Sequence, residues 1–236
     1  MKITYIHHSS FLVELDSVSL LFDYVGGPLP ELDRDVRLLV LVSHRHADHF
    51  SPVIFELADR YPNIHYIISD DIWQNRLPEE QICRTEFTDP GDVLELPVGN
   101  GVRVTSFKST DEGVAFLVEA DSRVVYHAGD LNDWRWNGES KAWNNNMHTN
   151  YLRELDNIKA LGLCPDVAFL PLDGRLEEWF YLGFQEFMEI IGAKHVFPMH
   201  FWEDYSVIGR LKELPCSESY RSQVADIRQE GDTFIF

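Results

Sequence analysis

Four apolar segments occupy the start of the chain, and turn-forming residues separate them. Apolar positions alternate with polar ones or run together over residues 2–6, 11–15 and 18–23, with serine and aspartate between the runs. A fourth, uniformly apolar run follows at residues 38–42, which is typical of a buried strand. We therefore predict four strands here, the last of which leads directly into a histidine-rich segment.

The rest of the chain alternates predicted strands with predicted helices. Ser51 and Pro52 open a segment, residues 53–61, whose apolar spacing and serine cap favour a helix. Residues 133–150 combine Trp, Asn and Gly without a period, so we predict a loop or lid. The remaining patterns predict strands at 64–68, 102–107, 114–119, 123–126, 167–170 and 195–198, and helices at 151–161 and 184–191. This order predicts an α/β fold with two similar halves, in one domain over residues 1–236.

Composition restricts the chemistry of any functional site. With 236 residues and 44% hydrophobic content, the chain can bury one large core. Its three cysteines, Cys83, Cys164 and Cys216, are widely spaced and odd in number, which argues against a disulfide framework and against a Cys-x-x-Cys zinc site. Any metal ion would therefore be held by histidines and carboxylates.

The formal charge of −19 argues against a polyanionic partner. A field of this sign repels a nucleic-acid backbone, and the one partial basic candidate, Arg34 and Arg37, is better explained as solvated surface. No apolar run approaches the roughly 20 residues that span a bilayer, and the N-terminus does not resemble a signal peptide. We expect a cytoplasmic protein with a small-molecule substrate and no nucleic-acid or membrane partner, and the oligomeric state stays open.

The histidine-rich segment "SHRHADHFS", residues 43–51, carries the strongest chemical signal. Residues two apart on an extended chain point the same way, so His44 and His46 would be presented together, and Asp48 and His49 follow where the chain turns. Imidazole nitrogen and carboxylate oxygen suit zinc and other borderline divalent ions. Four ligands are too many for one catalytic site with an open position, so this spacing favours two adjacent metal ions.

These residues resemble the signature of the metallo-β-lactamase-fold hydrolases, H-x-H-x-D-H after a buried strand. "YHAGD", residues 126–130, and "FPMHF", residues 197–201, are similar to two later strand-ending motifs of that family. The opening "HHSSFLVELDSVSLLFD" resembles a branch of zinc-dependent hydrolases that includes lactonases acting on sugar-acid phosphates. The resemblance implies a four-layer αβ/βα sandwich of the α/β (α+β) class, with the metals at one edge between its two sheets.

The resemblance also implies a ligand set. His44 and His46 would serve the first metal, Asp130 would bridge, and the second metal would take Asp48, which we also assign to catalysis, His49 and His200. The family usually supplies one more histidine to the first metal, but the corresponding stretch "SFKSTDEGVAFLVE", residues 106–119, contains none. Asp111 could replace it, giving a site with less preference for zinc over manganese or iron, or it could be a turn residue.

Other polar residues are candidates for the surroundings of the site. His8 could lie at its mouth or in a turn, His148 could reach the first metal or lie on the surface, and Asp173 could border the pocket or form a turn. Asp23 could orient a metal-bound imidazole, as carboxylates commonly do. Four tryptophans near the expected ligands could line an apolar pocket or pack in the core: Trp134, Trp136, Trp143 and Trp202.

The function predicted from these residues is metal-dependent hydrolysis. One or two divalent ions, zinc before manganese or iron, would generate a metal-bound hydroxide that cleaves an ester, lactone or phosphoester of a small molecule. No glycine-rich phosphate loop or serine nucleophile elbow offers another mechanism. The alternative is a metal-binding member of the same fold that does not hydrolyse, with a redox or ligand-binding role.

Overall fold

Two β-sheets form the framework in the computed structural model, which describes all 236 residues. The thirteen strands are β1 Lys2–His7, β2 Ser10–Glu14, β3 Val18–Phe22, β4 Arg37–Val42, β5 Ile64–Ser69, β6 Thr85–Thr88, β7 Val93–Leu96, β8 Val102–Lys108, β9 Val114–Ala120, β10 Arg123–His127, β11 Val167–Pro171, β12 His195–Met199 and β13 Thr233–Ile235. The α-helices are α1 Lys141–Lys159, α2 Leu182–Ile190 and α3 Ser206–Glu213. Short 3-10 helices cover Pro52–Asp59, Gln74–Arg76, Glu79–Arg84, Gly174–Trp179, Pro215–Ser217 and Arg221–Gln223.

Each sheet combines antiparallel and parallel strands. The first has seven strands in the order β13-β1-β2-β3-β4-β5-β6, antiparallel as far as β3 and parallel beyond it. The second has six in the order β12-β11-β10-β9-β8-β7, with β10, β11 and β12 parallel and the rest antiparallel. All ten strands predicted from the sequence are present. The three additional strands, β6, β7 and β13, are short and carry few buried residues, so their patterns are weak.

The alternating side chains of the first sheet divide between two apolar cores. On β4, Leu39 and Leu41 belong to the larger core between the sheets, whereas Leu38, Val40 and Val42 pack in a smaller core beneath the 3-10 helix Pro52–Asp59. On the other side, α1 packs against β8 and α2 against β11. The layers therefore run helix, sheet, sheet, helix, which confirms the predicted α/β sandwich.

An aromatic cluster joins the two sheets at the centre of the larger core. The ring centroid of Phe169 on β11 lies 4.3 Å from that of Phe11 and 5.9 Å from that of Phe22, both on the first sheet. Because one core takes side chains from both sheets, they pack as a unit. The expectation of one domain over the whole chain stays a prediction. No helix here combines the length and the apolar character needed to cross a bilayer.

The helix predictions need two corrections. The segment after Ser51 forms a 3-10 helix. The loop or lid predicted over residues 133–150 is wrong from Lys141 onward, because α1 begins there. The Ser140 side chain caps this helix by accepting a hydrogen bond from the backbone N–H of Trp143. The first half of α1 is polar and mostly exposed, so it shows no apolar period. The helix buries side chains only from Tyr151 onward, so the apolar spacing in the sequence predicts only its second half.

Candidate metal centre

Strand ends bring the candidate residues to one edge of the sandwich. In the first sheet β1, β3 and β4 run in the same direction, and their carboxyl ends lead to His8, Asp23 and His44. In the second sheet the parallel strands β10 and β12 lead to Asp130 and His200. Residues far apart in sequence therefore meet where the carboxyl ends of parallel strands open a crevice.

The first group of potential metal ligands contains His44, His46, Asp111 and Asp130, whose ligand atoms all lie within 4.8 Å of one another. His44 Nε2 is 3.0 Å from His46 Nδ1 and 3.4 Å from Asp130 Oδ2. Asp111 Oδ2 lies 3.7 Å from His46 Nδ1. Asp111 therefore lies in the first group, the one that lacks a histidine by comparison with the family pattern.

The second group contains His8, Asp48, His49 and His200, again with all ligand atoms within 4.8 Å. Asp48 Oδ2 lies 3.4 Å from His8 Nε2, 3.8 Å from His200 Nε2 and 3.9 Å from His49 Nε2. The sequence left the role of His8 between the site mouth and a turn. The structure places its ring among the ligands of this group and not of the first.

Asp130 lies between the two groups. Its Oδ1 is 3.2 Å from His49 Nε2 and 3.5 Å from His200 Nε2, while its Oδ2 faces His44 of the first group. Each oxygen of this buried carboxylate is therefore directed at a different group. That arrangement is what a carboxylate bridging two cations requires.

Hydrogen bonds behind the imidazoles fix which nitrogen faces the centre. His49 Nδ1 donates to Asp23 Oδ2 over 2.7 Å, and His200 Nδ1 donates to Asp173 Oδ2 over 3.1 Å. Ser43 Oγ donates its one proton to Asp23 Oδ2, so it must accept from His44 Nδ1, 3.0 Å away. In each ring Nε2 is left with its lone pair toward the centre, which is the form that binds a metal.

Strained backbone surrounds the same residues. His8, Asp23 and His200 have φ values of 47°, 45° and 61°, in the left-handed region that side chains other than glycine rarely adopt. Each such residue costs on the order of 1–3 kcal/mol and persists only where the surrounding structure enforces it. All three turn the chain at strand ends beside the two groups, which indicates a functional constraint.

Three buried polar atoms test whether a metal fits. His8 Nε2, His49 Nε2 and Asp130 Oδ1 make no hydrogen bond, although burial of an unpartnered polar atom costs about 1–3 kcal/mol. Imidazole nitrogens and carboxylate oxygens directed at one place are the donor set of a zinc or similar divalent ion, which would satisfy all three. The residues present therefore fit the metal that the sequence implies.

The electrostatics of the centre also favour a cation. Burial alone would lower the pKa of His49, but Asp130 and Asp23 raise it well above the usual histidine value. The field that favours a proton on His49 equally favours a metal ion between these residues. Burial, with the neighbouring His49, lowers the pKa of His44 to about 4, so this imidazole is neutral at pH 7, as metal ligation requires.

Comparison with known proteins agrees with the geometry. A family profile described as "Beta-lactamase superfamily domain" matches residues 2–142. The chain belongs to the metallo-β-lactamase-fold hydrolase superfamily. It is 29% identical over 224 residues to a "UPF0173 metal-dependent hydrolase" of Methanospirillum hungatei JF-1, covering 85% of this chain and 83% of that protein.

Solved structures share the fold of this metallo-β-lactamase-fold protein. Igni18, a metallo hydrolase from Ignicoccus hospitalis KIN4/I, superposes with a TM-score of 0.67 at 22% identity, covering 100% of this chain and 98% of that one. CmlA, a diiron beta-hydroxylase from Streptomyces venezuelae, superposes with a TM-score of 0.51 at 14% identity, covering 84% of this chain and 44% of that one. These structures agree with the fold, and the family match together with the "UPF0173 metal-dependent hydrolase" relative makes the chain a metal-dependent hydrolase.

A cavity of about 370 Å³ opens beside both groups of this metallo-β-lactamase-fold centre. Its walls combine carboxylates and imidazoles of the two groups with aromatic side chains: His46, Asp48, Thr110, Asp111, Asp130, Trp134, Trp136, Trp143, Met147, Arg175, His200 and Trp202. A larger hollow of about 690 Å³ lies elsewhere, and none of its lining residues belongs to either group of potential metal ligands. The cavity at the strand ends is therefore the substrate-binding candidate.

His148 does not join the centre, contrary to one of the two roles that the sequence allowed. It lies on α1, where its Nδ1 is 2.9 Å from Asp133 Oδ2 and 3.3 Å from Glu186 Oε1. Arg135 donates to the same Asp133 oxygen over 3.0 Å. His148 therefore belongs to a polar network that ties α1 and α2 to the chain after Asp130.

Glu186→Gln should stabilise the protein in a pH-dependent way. Burial and the nearby Asp133 raise the pKa of Glu186 from 4.5 to about 8, so the folded protein retains a proton that the unfolded chain releases between these values. Wild-type stability therefore falls as pH rises through this window, whereas glutamine has no proton to lose. We expect an advantage near zero at pH 4.5 that grows to about 1–3 kcal/mol by pH 8.

Thermal unfolding of both proteins from pH 4.5 to 9 measures this difference. Glu213→Gln, an exposed position on α3, is the control and should show no such trend. An advantage of Glu186→Gln that stays constant with pH would contradict the explanation.

Sequence reasoning missed some residues that organise the centre. Ser43 connects His44 to Asp23, yet a serine at the end of a strand has no signal that separates it from a turn residue. Thr110 Oγ1 donates to Asn132 O over 2.6 Å and accepts from Asn132 N over 3.0 Å, which fastens the segment carrying Asp111 to the segment after Asp130. The contacts of Ser43 with Asp23 and of Thr110 with Asn132 join residues at least 20 positions apart, and one sequence does not reveal them.

Proposed function

We propose that this protein hydrolyses an ester, lactone or phosphoester bond of a small molecule, with zinc as the first candidate metal. The observation that carries the proposal is the placement of Asp130, whose two oxygens face different groups of histidines. Divalent ions held by the two groups would lower the pKa of a water molecule and polarise a substrate oxygen. The cavity beside them has the size of a small-molecule site, about 300–1,000 Å³.

In this proposal the protein's own residues hold and orient the reactants. Asp48 lines the cavity, and although burial alone would raise its pKa, the His8 contact and the charge of His49 lower it below the usual aspartate range. An ionised Asp48 can accept a hydrogen bond from the attacking water and direct it toward the substrate. The rings of Trp134 and Trp202 lie edge-on to His200, at 5.2 and 5.7 Å, and shield that side of the centre from bulk water.

The two groups should differ in how firmly they hold metal. In the second group the side chains of His8, His49 and His200 are almost fully buried, whereas His46 and Asp111 of the first are 41% and 46% exposed. The first group also has two imidazoles where the second has three, so its preference for zinc over manganese or iron is weaker. We therefore assign zinc to the second group and leave the first group open to the harder ions.

Mild dialysis should leave nearer one equivalent of metal than two. The exposed first group should release its ion, and excess Zn²⁺ or Mn²⁺ should restore the second equivalent together with hydrolysis of a panel of esters, lactones and phosphoesters. Asp111→Ala should weaken this recovery because it removes one of four ligands. Metal analysis and turnover before and after addition measure the effect, with the exposed and distant Asp35→Ala as the control.

The outcomes separate the alternatives. Full recovery in Asp111→Ala would make Asp111 a turn residue, with no ligand role. Firmly bound metal without turnover on any substrate of the panel would favour a non-hydrolytic protein, and an iron-loaded first group would point to redox chemistry, as in CmlA, which shares the fold. Anomalous scattering at the zinc, iron and manganese edges, on protein purified without chelator, would identify each ion.

A further inference from the structure

We infer that the cavity takes a substrate that combines a planar apolar group with an anionic group, and that Arg175 binds the anion. This inference rests on the proposed hydrolytic function, because it names the substrate class of the same site. Two features of the cavity walls carry it: the tryptophans that line it and the single cation among its charged residues.

Aromatic side chains form the apolar walls. Trp134 and Trp136 lie nearly parallel, 8° apart in plane and 6.5 Å between centroids. Trp143 and Trp202 stand at the mouth with 38% and 49% of their surface exposed, unlike the buried majority of the large apolar residues. Partly exposed indoles at a cavity mouth offer flat apolar faces, which a planar group covers with favourable stacking.

Arg175 is the one cationic side chain that lines the cavity. Asp173 accepts hydrogen bonds from its Nε and Nη2, and its guanidinium carbon lies 4.8 Å from the Trp202 ring centroid. The carboxylate and the ring hold the guanidinium in place, yet its Nη1 makes no hydrogen bond within the chain and the side chain is half exposed. A fixed guanidinium with a free N–H edge is suited to bind a carboxylate or phosphate oxygen.

The charge of the protein makes this cation decisive. With a formal charge of −19, and with Asp48, Asp111 and Asp130 in the same cavity walls, a diffusing anion gains little from the rest of the surface. Metal ions would offset the three carboxylates, so the free N–H edge of Arg175, whose other edge donates to Asp173, can meet a charge on the substrate. The volume of about 370 Å³ limits the substrate to a ring-sized group with short substituents.

Matched esters test the assignment. The substrates are phenyl acetate and its analogues with a carboxylate or a phosphonate in the para position. Comparison of the two anionic esters shows whether the site prefers a carboxylate or a phosphonate. Wild-type protein should prefer at least one anionic ester by about 10-fold or more in kcat/KM, the range expected for a charge-assisted hydrogen bond. In Arg175→Met that ratio should fall close to one through a higher KM for the anionic ester, and Arg175→Lys should recover part of it.

The control is Arg210→Met, which removes an arginine that also stacks on an aromatic ring, Phe180, but lies outside the cavity. It should keep the wild-type ratio. Metal content is measured in every variant, because loss of Arg175 could displace Asp173 and with it His200. A ratio unchanged in Arg175→Met with full metal content would overturn the inference and would mean that the metals themselves bind the anion.

Binding of anionic aromatic compounds that have no ester bond to hydrolyse keeps the inference apart from the proposed function. Calorimetry with benzoate and phenylphosphonate, against benzyl alcohol as the neutral probe, should show anion binding in wild type that falls about 10-fold in Arg175→Met. If no ester is hydrolysed but this binding is found, the hydrolytic proposal fails and the assignment of Arg175 stands. If esters are hydrolysed without any anion preference and neither anion binds through Arg175, the inference fails alone.

Discussion

Asp130→Asn should lose most of its bound metal and nearly all of its hydrolytic activity. The amide keeps one oxygen and replaces the other by an NH₂ group, so it can no longer present an acceptor to both groups at once. Burial alone would raise the pKa of Asp130, but His49 and His200 lower it well below the usual range, which means that its negative charge is part of the centre's design. We expect kcat/KM to fall by about 10³-fold, or ~4 kcal/mol of transition-state stabilisation.

A buried aspartate outside the centre provides the control for this prediction. Asp166 precedes β11 and contacts Lys194 Nζ over 2.7 Å, so Asp166→Asn should lower thermal stability while the metal content stays at the wild-type value. Metal analysis, kinetics and thermal unfolding are measured on both variants. Wild-type metal content and turnover in Asp130→Asn would refute the bridging role.

The candidate ligands that share a short motif could be grouped from the sequence alone. His44, His46, Asp48 and His49 fall within six positions, so their spacing alone brings them together whatever the rest of the fold does. Asp130 and His200 are predicted as ligands only from the resemblance to known motifs, because nothing in the local sequence shows that two distant strand ends meet. The framework of strands was predictable because both faces of the central strands are buried and their apolar runs are long.

The cavity walls could not be predicted in the same way. Arg175 reaches the cavity because it lies at the start of the 3-10 helix after β11 and donates to the carboxylate of Asp173, and neither feature has a periodic signal. The local sequence around Asp111 does not distinguish a ligand from a turn residue. The role of His8 depends on the parallel direction of β1, β3 and β4, whose carboxyl ends lie at the same edge of the sheet, and on its left-handed backbone; neither is visible in the local sequence.

Gly113→Ala should destabilise the protein and disturb the metal centre together. A Cβ built on Gly113 would lie 2.0 Å from the carbonyl oxygen of Ser43 and 2.6 Å from Cβ of His44. These atoms cannot move aside cheaply, because Val114 N donates to that same Ser43 oxygen over 2.9 Å and the Ser43 side chain holds His44. The glycine therefore lets the segment carrying Asp111 pack directly against the first ligand, and alanine would push the two apart.

Backbone strain alone must be separated from this close approach. Gly113 and Gly162 have similar φ values of 64° and 67°, but a Cβ on Gly162 meets nothing within 4 Å. Both alanine variants bear the cost of a left-handed residue, about 1–2 kcal/mol, and Gly113→Ala adds the overlap, typically a further 1–3 kcal/mol. The free energy of unfolding measured with denaturant should therefore be clearly lower for Gly113→Ala than for Gly162→Ala, and only Gly113→Ala should lose metal on dialysis. Equal losses of stability with equal metal retention would show that the contact between Gly113 and Ser43 does not support the centre.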